Sequence, residues 1–581
     1  MNRWMVCLVA VGIFLGGWLR LSSLDKRSIT HPEMYVPGIR LPAGISEPAE
    51  RLSVASILTG TFSADTHPPG YYLAMFPWTR LAGTSLSAIR LPSALLGIAS
   101  IPLLFFLGVL IGRPFAGAVA ALLLALSGFH VFWSQVARMY ALSCFLGLSS
   151  TVLLLWIVRG ARPRAFLAAI YIAVILAGLS THVFFWGVLG THLLWALGNS
   201  LGRNYLPWIC KAQLLAFVLG SPLIAFAGYQ SGNVVADLSS DVPRFFSDLV
   251  GFAFALPTRR SEFFPAAIPF TEPAVWWVLR VAITLAGLGL LIVGLSQLWG
   301  RSEKPVLQEG EKTPSVWKAA WIAAGIFGTL AIAGFIAMSS RLPPDQIHPS
   351  IRITKALLPL PFVLAVVALL MDGLWSRVPG PGKWSRLFVG EQALAALLAI
   401  VPFGLLGLLS AFRPVLNQRG LIVAVPYMLL VLATGLVSVR NKAWLATSWS
   451  AAAIALVAGL VGYNRMTVDP ADYRRFATAI TAEIQPQDLV FVRKAWYETP
   501  IFYYLKPGRY RLVGRNFAQA TADQREARVW VVMLYDDQPA PEMQTALTEY
   551  RIARTISLPR TRAILYERLQ VVAKMHPVLA E

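Results

Sequence analysis

Charged side chains are scarce in this chain. Only 14% of its 581 residues are Asp, Glu, Lys or Arg, whereas 56% are hydrophobic. Ordinary soluble domains carry roughly 25% charged residues. The surplus apolar residues occur in blocks of about 20, the length that crosses the hydrocarbon core of a bilayer. The composition therefore excludes an ordinary soluble domain and predicts a polytopic membrane protein.

Acidic residues are the scarcer of the two charge types. The chain holds 29 Asp and Glu against 50 Lys and Arg, a formal net charge of +21. In a soluble protein this excess would suggest nucleic acid as a partner. Here basic residues between apolar blocks orient the chain and meet anionic lipid. Because no basic low-complexity tail or nucleic-acid motif is present, no nucleic-acid partner is predicted.

Cysteine is also rare. Cys7, Cys144 and Cys210 all lie in or beside apolar blocks. This number and placement predict no disulfide framework and no Cys/His metal site.

Apolar blocks are what the sequence has in abundance, and we predict about 13 transmembrane helices. The N-terminal block lacks the small-residue cleavage site of a signal peptide, so it is interpreted as a retained first helix. The predicted spans are 4–22, 88–111, 114–132, 136–158, 164–181, 182–198, 207–228, 275–299, 316–338, 353–373, 388–411, 420–438 and 443–462.

Basic residues cluster in alternate connections between these spans, which predicts their orientation. Representative members are Arg113, Arg159, Arg203, Arg301, Arg377 and Arg440. By the positive-inside rule these connections and the N-terminus are cytoplasmic. A long first loop (23–87) then faces outward, and an odd number of crossings places the C-terminus outside. We expect a multi-pass protein of the inner, or plasma, membrane.

The tail changes character after the last span. The stretch "DPADYRRFATAITAEI" predicts an amphipathic helix that begins at an acidic cap. The stretches "DLVFVRK", "RVWVVMLY" and "AILYERL" predict strands. The fold class is therefore an all-α membrane domain (1–463) followed by a small extracytoplasmic α/β domain (464–581).

The first outer loop contains two segments that are too short to span the membrane. "EPAERLSVASIL" and "PPGYYLAMFPWTRLAG" carry aromatic and basic residues at their edges, which is typical of helices lying in the interface. Pro68 and Pro69 are expected in the first turn of the second helix, where proline is well tolerated. They would fix where Asp65 and His67 point.

Several polar groups fall on the predicted outer face and suggest an anionic ligand there. Each also has a structural interpretation: Glu33 as a solvated carboxylate, Asp65 as a helix cap, and Arg138 as a side chain that snorkels to the interface. Tyr140 is equally an interface anchor, and His182 alone is an ordinary packed histidine. The hypothesis of a site depends on the set and its order, which are Glu33, Asp65, His67, Arg138, Tyr140, His182, Arg413 and Arg419.

The order of these motifs resembles the GT-C glycosyltransferases of the protein-mannosyltransferase superfamily, including bacterial enzymes similar to aminoarabinose and galacturonic acid transferases. In sequence come an acidic motif in the first loop, an "HPP-YY" element, "SQ-ARMYAL" at the fourth span and a His near spans five and six. An Arg419-x6-Pro426 element and the tail "PQDLVFVRKAWYETPIFYYL" complete the resemblance, which covers most of the chain.

The resemblance implies transfer of a sugar from a polyprenyl-phosphate donor to an acceptor hydroxyl of a glycolipid, cell-envelope glycan or protein. Glu33 would be the general base, with Asp65 second. Arg138 would bind the donor phosphate, with Arg419 second. His67 and His182 would orient acid or phosphate, and Tyr140 belongs to the same donor element. No cofactor is firmly implied, and a divalent cation is left open.

One departure from the family pattern keeps alternatives open. The family usually shows Asp-Glu in the first loop, whereas this chain has Pro32-Glu33. Glu33 acts alone, or Asp65 supplies a second carboxylate, or the site has drifted in a scaffold protein. A transporter or flippase of lipid-linked substrates is the remaining alternative, and it predicts charges deep within spans and paired broken helices.

Overall fold

The computed structural model describes the chain in two compact units. The first comprises Met1–Asp25 with Leu52–Met466, and the second comprises Lys26–Arg51 with Thr467–Glu581. The predicted division at residue 463 stays a prediction, and the second unit also includes the start of the first loop. The described residues are 3–39, 53–54, 57, 68–160, 165–182, 184–230, 273–299, 390–412, 419–465, 472–493, 499–505, 509–513, 528–534, 547–558 and 561–569.

The first unit is helical, as its apolar blocks predict. Its described helices are α1 (Arg3–Leu21), α2 (Gly70–Ala82), α3 (Leu86–Leu110), α4 (Pro114–Leu126), α5 (Gly128–Ser134), α6 (Tyr140–Arg159), α7 (Ala165–Thr181), α8 (Phe185–Gly198), α9 (Ser200–Gln230), α10 (Pro273–Trp299), α11 (Gln392–Phe412), α12 (Val425–Ser438) and α13 (Lys442–Arg465). A 3₁₀ turn, Arg419–Val423, precedes α12.

The chain is a multi-pass membrane protein. Among the described helices, four are long and apolar enough to cross a bilayer: α1, α3, α6 and α13, the last over Lys442–Tyr463. The bent pair α4–α5 adds a fifth candidate. The count of 13 spans is not confirmed: the predicted spans 316–338 and 353–373 lie outside the described residues, and helices such as α7, α8 and α12 have fewer than 18 residues.

The third predicted span, 114–132, is not one straight helix. The structure bends it by 60° between α4 and α5. Ser127 lies at the bend and accepts a hydrogen bond from the backbone N–H of His130, 3.3 Å away, so it begins a new helix. The next predicted span, 136–158, begins later, at Tyr140. The residues between α5 and α6 form the turn that carries Arg138.

Small residues let the helices of the first unit approach closely. A Cβ at Gly117 would lie 2.9 Å from the carbonyl oxygen of Phe105, so α3 and α4 meet at a glycine pair with Gly108. Val9 and Ile101 pack with alanines of α4 beside this contact. Close backbone approach through small residues is the usual way in which membrane helices pack.

The second unit contains the small sheet that the tail predicts. Its described strands are β1 (Leu489–Arg493), β2 (Arg509–Val513), β3 (Arg528–Leu534), β4 (Tyr550–Leu558) and β5 (Thr561–Arg568), in the order β2-β1-β3-β5-β4. The β1 pairs are parallel, and the β5 pairs are antiparallel. Helix α14 (Tyr473–Thr481) begins at Asp472, which caps the N–H of Arg475 as the acidic motif predicts. The tail motifs did not predict β2 or β4.

The interfacial helices of the first loop have different outcomes. The second one is α2, which begins at Gly70 with Pro69 as the residue before its first turn. The two prolines therefore precede the helix rather than occupying its first turn. The first predicted helix, "EPAERLSVASIL", lies largely outside the described residues, and so do Asp65 and His67.

Candidate functional site

Arg138 is held inside the first unit by a tyrosine of the "HPP-YY" element. Its side chain is only 5% exposed. Nη1 of Arg138 donates a hydrogen bond to the hydroxyl of Tyr72, and the guanidinium carbon lies 5.9 Å from the centre of the Tyr72 ring. The backbone oxygen of Arg138 accepts from the Ser93 hydroxyl at 3.3 Å. The snorkelling interpretation does not describe this residue, because its side chain is turned into the protein.

Helix α2, which carries Tyr72, lies close to α7. A Cβ at Gly70 would be 2.5 Å from the carbonyl oxygen of Ser180, so only glycine allows this approach. Tyr71 and Tyr72 are both buried, at 2% and 0% exposure. The stretch "HPPGYY" thus combines stiff prolines, a glycine that seats α2 on α7, and the tyrosine that bonds to the arginine.

The turn that carries Arg138 is anchored by a buried polar cluster. Arg20, at the end of α1, donates to the carbonyl oxygens of Leu124 and Ala125, which the bend after α4 leaves without helical partners, and to Nδ1 of His130 at 2.8 Å. Gln135 returns hydrogen bonds from Nε2 to the carbonyl oxygens of Leu19 and Arg20. Arg20 and Gln135 therefore satisfy the orphan carbonyls at the ends of helices α4 and α1, and they fix the turn.

Tyr140 and His182 are brought together beside this turn. Their ring centres are 5.8 Å apart, and both residues are 1% exposed. Trp133 packs on the other side of Tyr140, with ring centres 4.6 Å apart. The backbone N–H of Phe184 donates to Nδ1 of His182 at 3.1 Å. A neutral His182 ring therefore carries its proton at Nε2.

Arg419 begins the 3₁₀ turn that precedes α12. This turn packs against α6, the helix that Tyr140 begins. A Cβ at Gly420 would overlap the ring of Phe184, so the turn and the loop after His182 fit only through this glycine. The Arg419 side chain is partly buried. Arg413 lies outside the described residues.

The arrangement around Arg138 suits an anion. A buried guanidinium lies just before the N-terminus of α6, where the helix dipole is positive. The first turn of α6 contains no acidic residue. Tyr140 and His182 lie nearby, with their rings in contact. These groups can hold and orient an oxyanion, and a guanidinium offers two parallel donors to phosphate oxygens.

Glu33 belongs to the second unit. It lies in a 3₁₀ turn, His31–Tyr35, where it forms a capping box with Thr30. The backbone N–H and the hydroxyl of Thr30 donate to Oε2 of Glu33 at 3.0 and 3.2 Å. Glu33 is 0% exposed, so the interpretation as a solvated loop carboxylate is wrong.

The described residues supply no ready metal site. Within them, no three His, Cys, Asp or Glu side chains are grouped closely enough to hold an ion. The only carboxylate of the acidic motif that is described, Glu33, already accepts two hydrogen bonds from Thr30.

The sequence prediction missed Tyr72 and the anchoring pair Arg20 and Gln135. The sequence did contain an indication of Tyr72, since this residue lies three positions after the diproline in a helix that the pattern predicts. It also contained one of Arg20, because a lone arginine at the end of an apolar helix requires buried acceptors or water. Its actual partners, the carbonyls of a broken helix, depend on a bend that hydropathy does not register.

Known proteins are similar to the chain in structure but not in sequence. No protein-family model and no curated protein sequence matches the chain. In structure, the chain is similar to solved proteins at 11–14% identity.

Three such similarities cover nearly the whole chain. One is to ArnT from Cupriavidus metallidurans in the apo state, at 14% identity, 97% coverage of both chains and a TM-score of 0.43. Another is to the oligosaccharyltransferase AglB from Archaeoglobus fulgidus, at 11% identity, 98% of this chain, 74% of that one and a TM-score of 0.43. The third is to the arabinofuranosyltransferase AftD from Mycobacteria, at 12% identity, 98% of this chain, 41% of that one and a TM-score of 0.38.

Proposed function

We propose that this chain is a membrane glycosyltransferase that moves a sugar from a polyprenyl-phosphate donor to an acceptor hydroxyl. The acceptor is a glycolipid, a cell-envelope glycan or a protein. The observation that carries the proposal is the buried Arg138, held by Tyr72 just before the N-terminus of α6. A lipid phosphate among apolar helices needs such a cation, because the phosphate is charged while its chain is not.

The proposed reaction is a displacement at the anomeric carbon. The acceptor oxygen forms a bond to that carbon and loses its proton to Glu33, with Asp65 as the second candidate base. The bond from the anomeric carbon to the phosphate oxygen breaks, and its electron pair leaves with the polyprenyl phosphate. Arg138 stabilises the charge that grows on this leaving group.

The remaining predicted site residues have supporting roles in the proposal. Tyr140 and His182 line the donor side beside Arg138. Arg419 is the second cation for the phosphate, and Gly420 seats its turn against Phe184. His67 is proposed to orient acid or phosphate from its position in the motif.

The chain is further proposed to place its N-terminus in the cytoplasm and its C-terminal residues outside. The charge of alternate loops supports this orientation. Reporter fusions after Glu581 and within residues 300–315 should give opposite sidedness. The same sidedness in both fusions would contradict the orientation and the outer location of the site.

The experiment for the donor uses the purified full-length chain in nanodiscs with an envelope lipid extract as acceptor. A panel of polyprenyl-phosphate sugars is compared with the corresponding nucleotide sugars. Transfer from a lipid-linked sugar alone is the expected result. Transfer only from nucleotide sugars would overturn the donor assignment. No transfer from any donor, with folded protein verified by its thermal transition, would favour the transporter or scaffold alternative.

A further inference from the structure

The segment that carries Glu33 is tied to the C-terminal part of the second unit by two hydrogen bonds, each from a backbone N–H to a side-chain hydroxyl. The N–H of Ile29 donates to the hydroxyl of Tyr504 at 2.6 Å. The N–H of Arg474 donates to the hydroxyl of Ser28 at 2.9 Å. The first bond fixes the backbone of Ile29 through the side chain of Tyr504. The second fixes the side chain of Ser28 through the backbone of Arg474, so two neighbouring residues of the segment are held.

Tyr504 is itself held in place by its neighbours. It ends the turn after α15 (Thr499–Phe502), where its N–H donates to the carbonyl oxygen of Ile501 at 3.0 Å. The Arg474 guanidinium carbon lies 5.6 Å from the centre of its ring, and Tyr503 meets it edge-on at 5.1 Å. The hydroxyl of Tyr504 is therefore a fixed acceptor rather than a mobile surface group.

Apolar burial surrounds these two bonds. In the segment, Ile29 and Val36 are fully buried and Met34 is 2% exposed. In the tail, Ile501 and Phe502 are 0% and 1% exposed, and α15 packs against the 3₁₀ turn His31–Tyr35. Both bonds are part-buried, so loss of the acceptor destabilises the backbone N–H to the extent that water does not replace it.

The hydrogen bond at Ile29 helps to fix the position of the Glu33 carboxylate. Thr30 follows Ile29, and its N–H and hydroxyl are the two donors that hold Oε2 of Glu33. Fixing the chain at residues 28 and 29 therefore fixes the donors that orient the acid. The "FYYL" end of the tail motif gains a physical role in this way.

We propose that Tyr504 is a positioning residue that docks the acid-bearing segment 28–36 on the C-terminal residues of the same unit. The docking itself stands on the contacts above, while its effect on turnover rests on the proposed function of Glu33. The C-terminal residues are thus more than an appended domain, because they hold the segment that presents the acid.

The test compares Tyr504→Phe with Tyr503→Phe in the full-length chain in nanodiscs. Tyr503→Phe is the matched control, since it removes the neighbouring phenol hydroxyl. Hydrogen exchange over residues 26–36 should accelerate roughly ten- to hundredfold in Tyr504→Phe and stay unchanged in Tyr503→Phe, since only the first variant loses the hydrogen bond from the N–H of Ile29. Ser28→Ala, which removes the acceptor of the second bond, should accelerate exchange in the same residues.

Kinetics separate positioning from a merely structural role. Tyr504→Phe should lower kcat about tenfold with little change in the KM for the donor, because the acid is displaced but the phosphate site is not. Combining Tyr504→Phe with Glu33→Gln should add no further loss, since a misplaced acid and an absent acid fail in the same step.

Each outcome decides the proposal. Unchanged exchange in both Tyr504→Phe and Ser28→Ala overturns the docking. Faster exchange with unchanged kcat, while Glu33→Gln is inactive, overturns the positioning role and leaves the proposed function standing. If Glu33→Gln retains full turnover, the assignment of the base fails instead, and the exchange measurement still decides the docking.

Discussion

Arg138 and Tyr72 are 66 residues apart in sequence, and the guanidinium of one donates directly to the hydroxyl of the other. The pair joins the turn before α6 to the helix that follows the diproline. The Tyr72 hydroxyl accepts this hydrogen bond without carrying a negative charge of its own. A guanidinium that is held by a hydrogen bond keeps a fixed direction, which suits recognition of a phosphate.

Tyr72→Phe tests the orientation of this pair. The change keeps the ring and removes the hydroxyl that accepts from Arg138, so donor use should fall roughly tenfold, as for one hydrogen bond to a charged group. Tyr71→Phe is the control, since Tyr71 is the neighbouring buried tyrosine, and it should stay within a few-fold of wild type. The measurement is KM and kcat for a polyprenyl-phosphate sugar. Equal losses in both variants would show that burial of a phenol, rather than the bond to Arg138, matters.

Glu33→Gln tests the base without removing the local structure. Glutamine at this position of a capping box can still accept from Thr30, so the 3₁₀ turn should persist while the carboxylate is lost. We expect a loss of about 10²–10⁴-fold in kcat, the usual effect of removing a general base. Asp65→Asn, measured in parallel, assigns the role if Glu33→Gln is active. Glu549→Gln, at a carboxylate that is 70% exposed in its side chain, is the control and should be silent.

Gly420→Ala tests the seating of the Arg419 turn. A Cβ there would overlap the Phe184 ring, so the loop after His182 or the turn must shift. Overpacking of this kind costs about 1–3 kcal/mol of stability, and transfer should fall with the displacement of Arg419. Gly190→Ala is the control, because no heavy atom lies within 4 Å of its added Cβ. Similar thermal transitions and activities in the two variants would contradict the close contact.

Hydropathy predicted the described helices of the first unit to within a few residues at most ends, because a run of apolar residues in a bilayer has few alternatives to a helix. It did not predict the bend at Ser127, since serine within an apolar run is compatible with either a straight or a broken span. It also placed the start of α6 too early, because the turn at Gln135–Met139 is as buried as the helices around it.

The site residues Arg138, Tyr140, His182 and Arg419 were named from motif order, and their role stays a prediction. The structure links Arg138 to Tyr72, and it links His182 to the Arg419 turn through Phe184 and Gly420. The linking residues were missed, since a tyrosine hydroxyl and a glycine contact depend on how helices pack. In the second unit, the burial of Glu33 was also missed, because the 3₁₀ turn that carries it packs against α15, which is far away in sequence.

The most direct measurement uses a polyprenyl-phosphate sugar that is labelled in the sugar, with wild type, Arg138→Lys and Arg138→Ala in sealed vesicles with an acceptor lipid. Wild type should move the label to the acceptor and release one polyprenyl phosphate for each sugar transferred. Lysine keeps the charge but loses the planar fork, so transfer should fall about tenfold, and alanine should lose about a hundredfold or more. Arg80→Lys, at an exposed arginine on α2, should behave as wild type. Label that crosses the membrane still attached to its lipid, or equal transfer in all four proteins, would contradict a transferase site at Arg138.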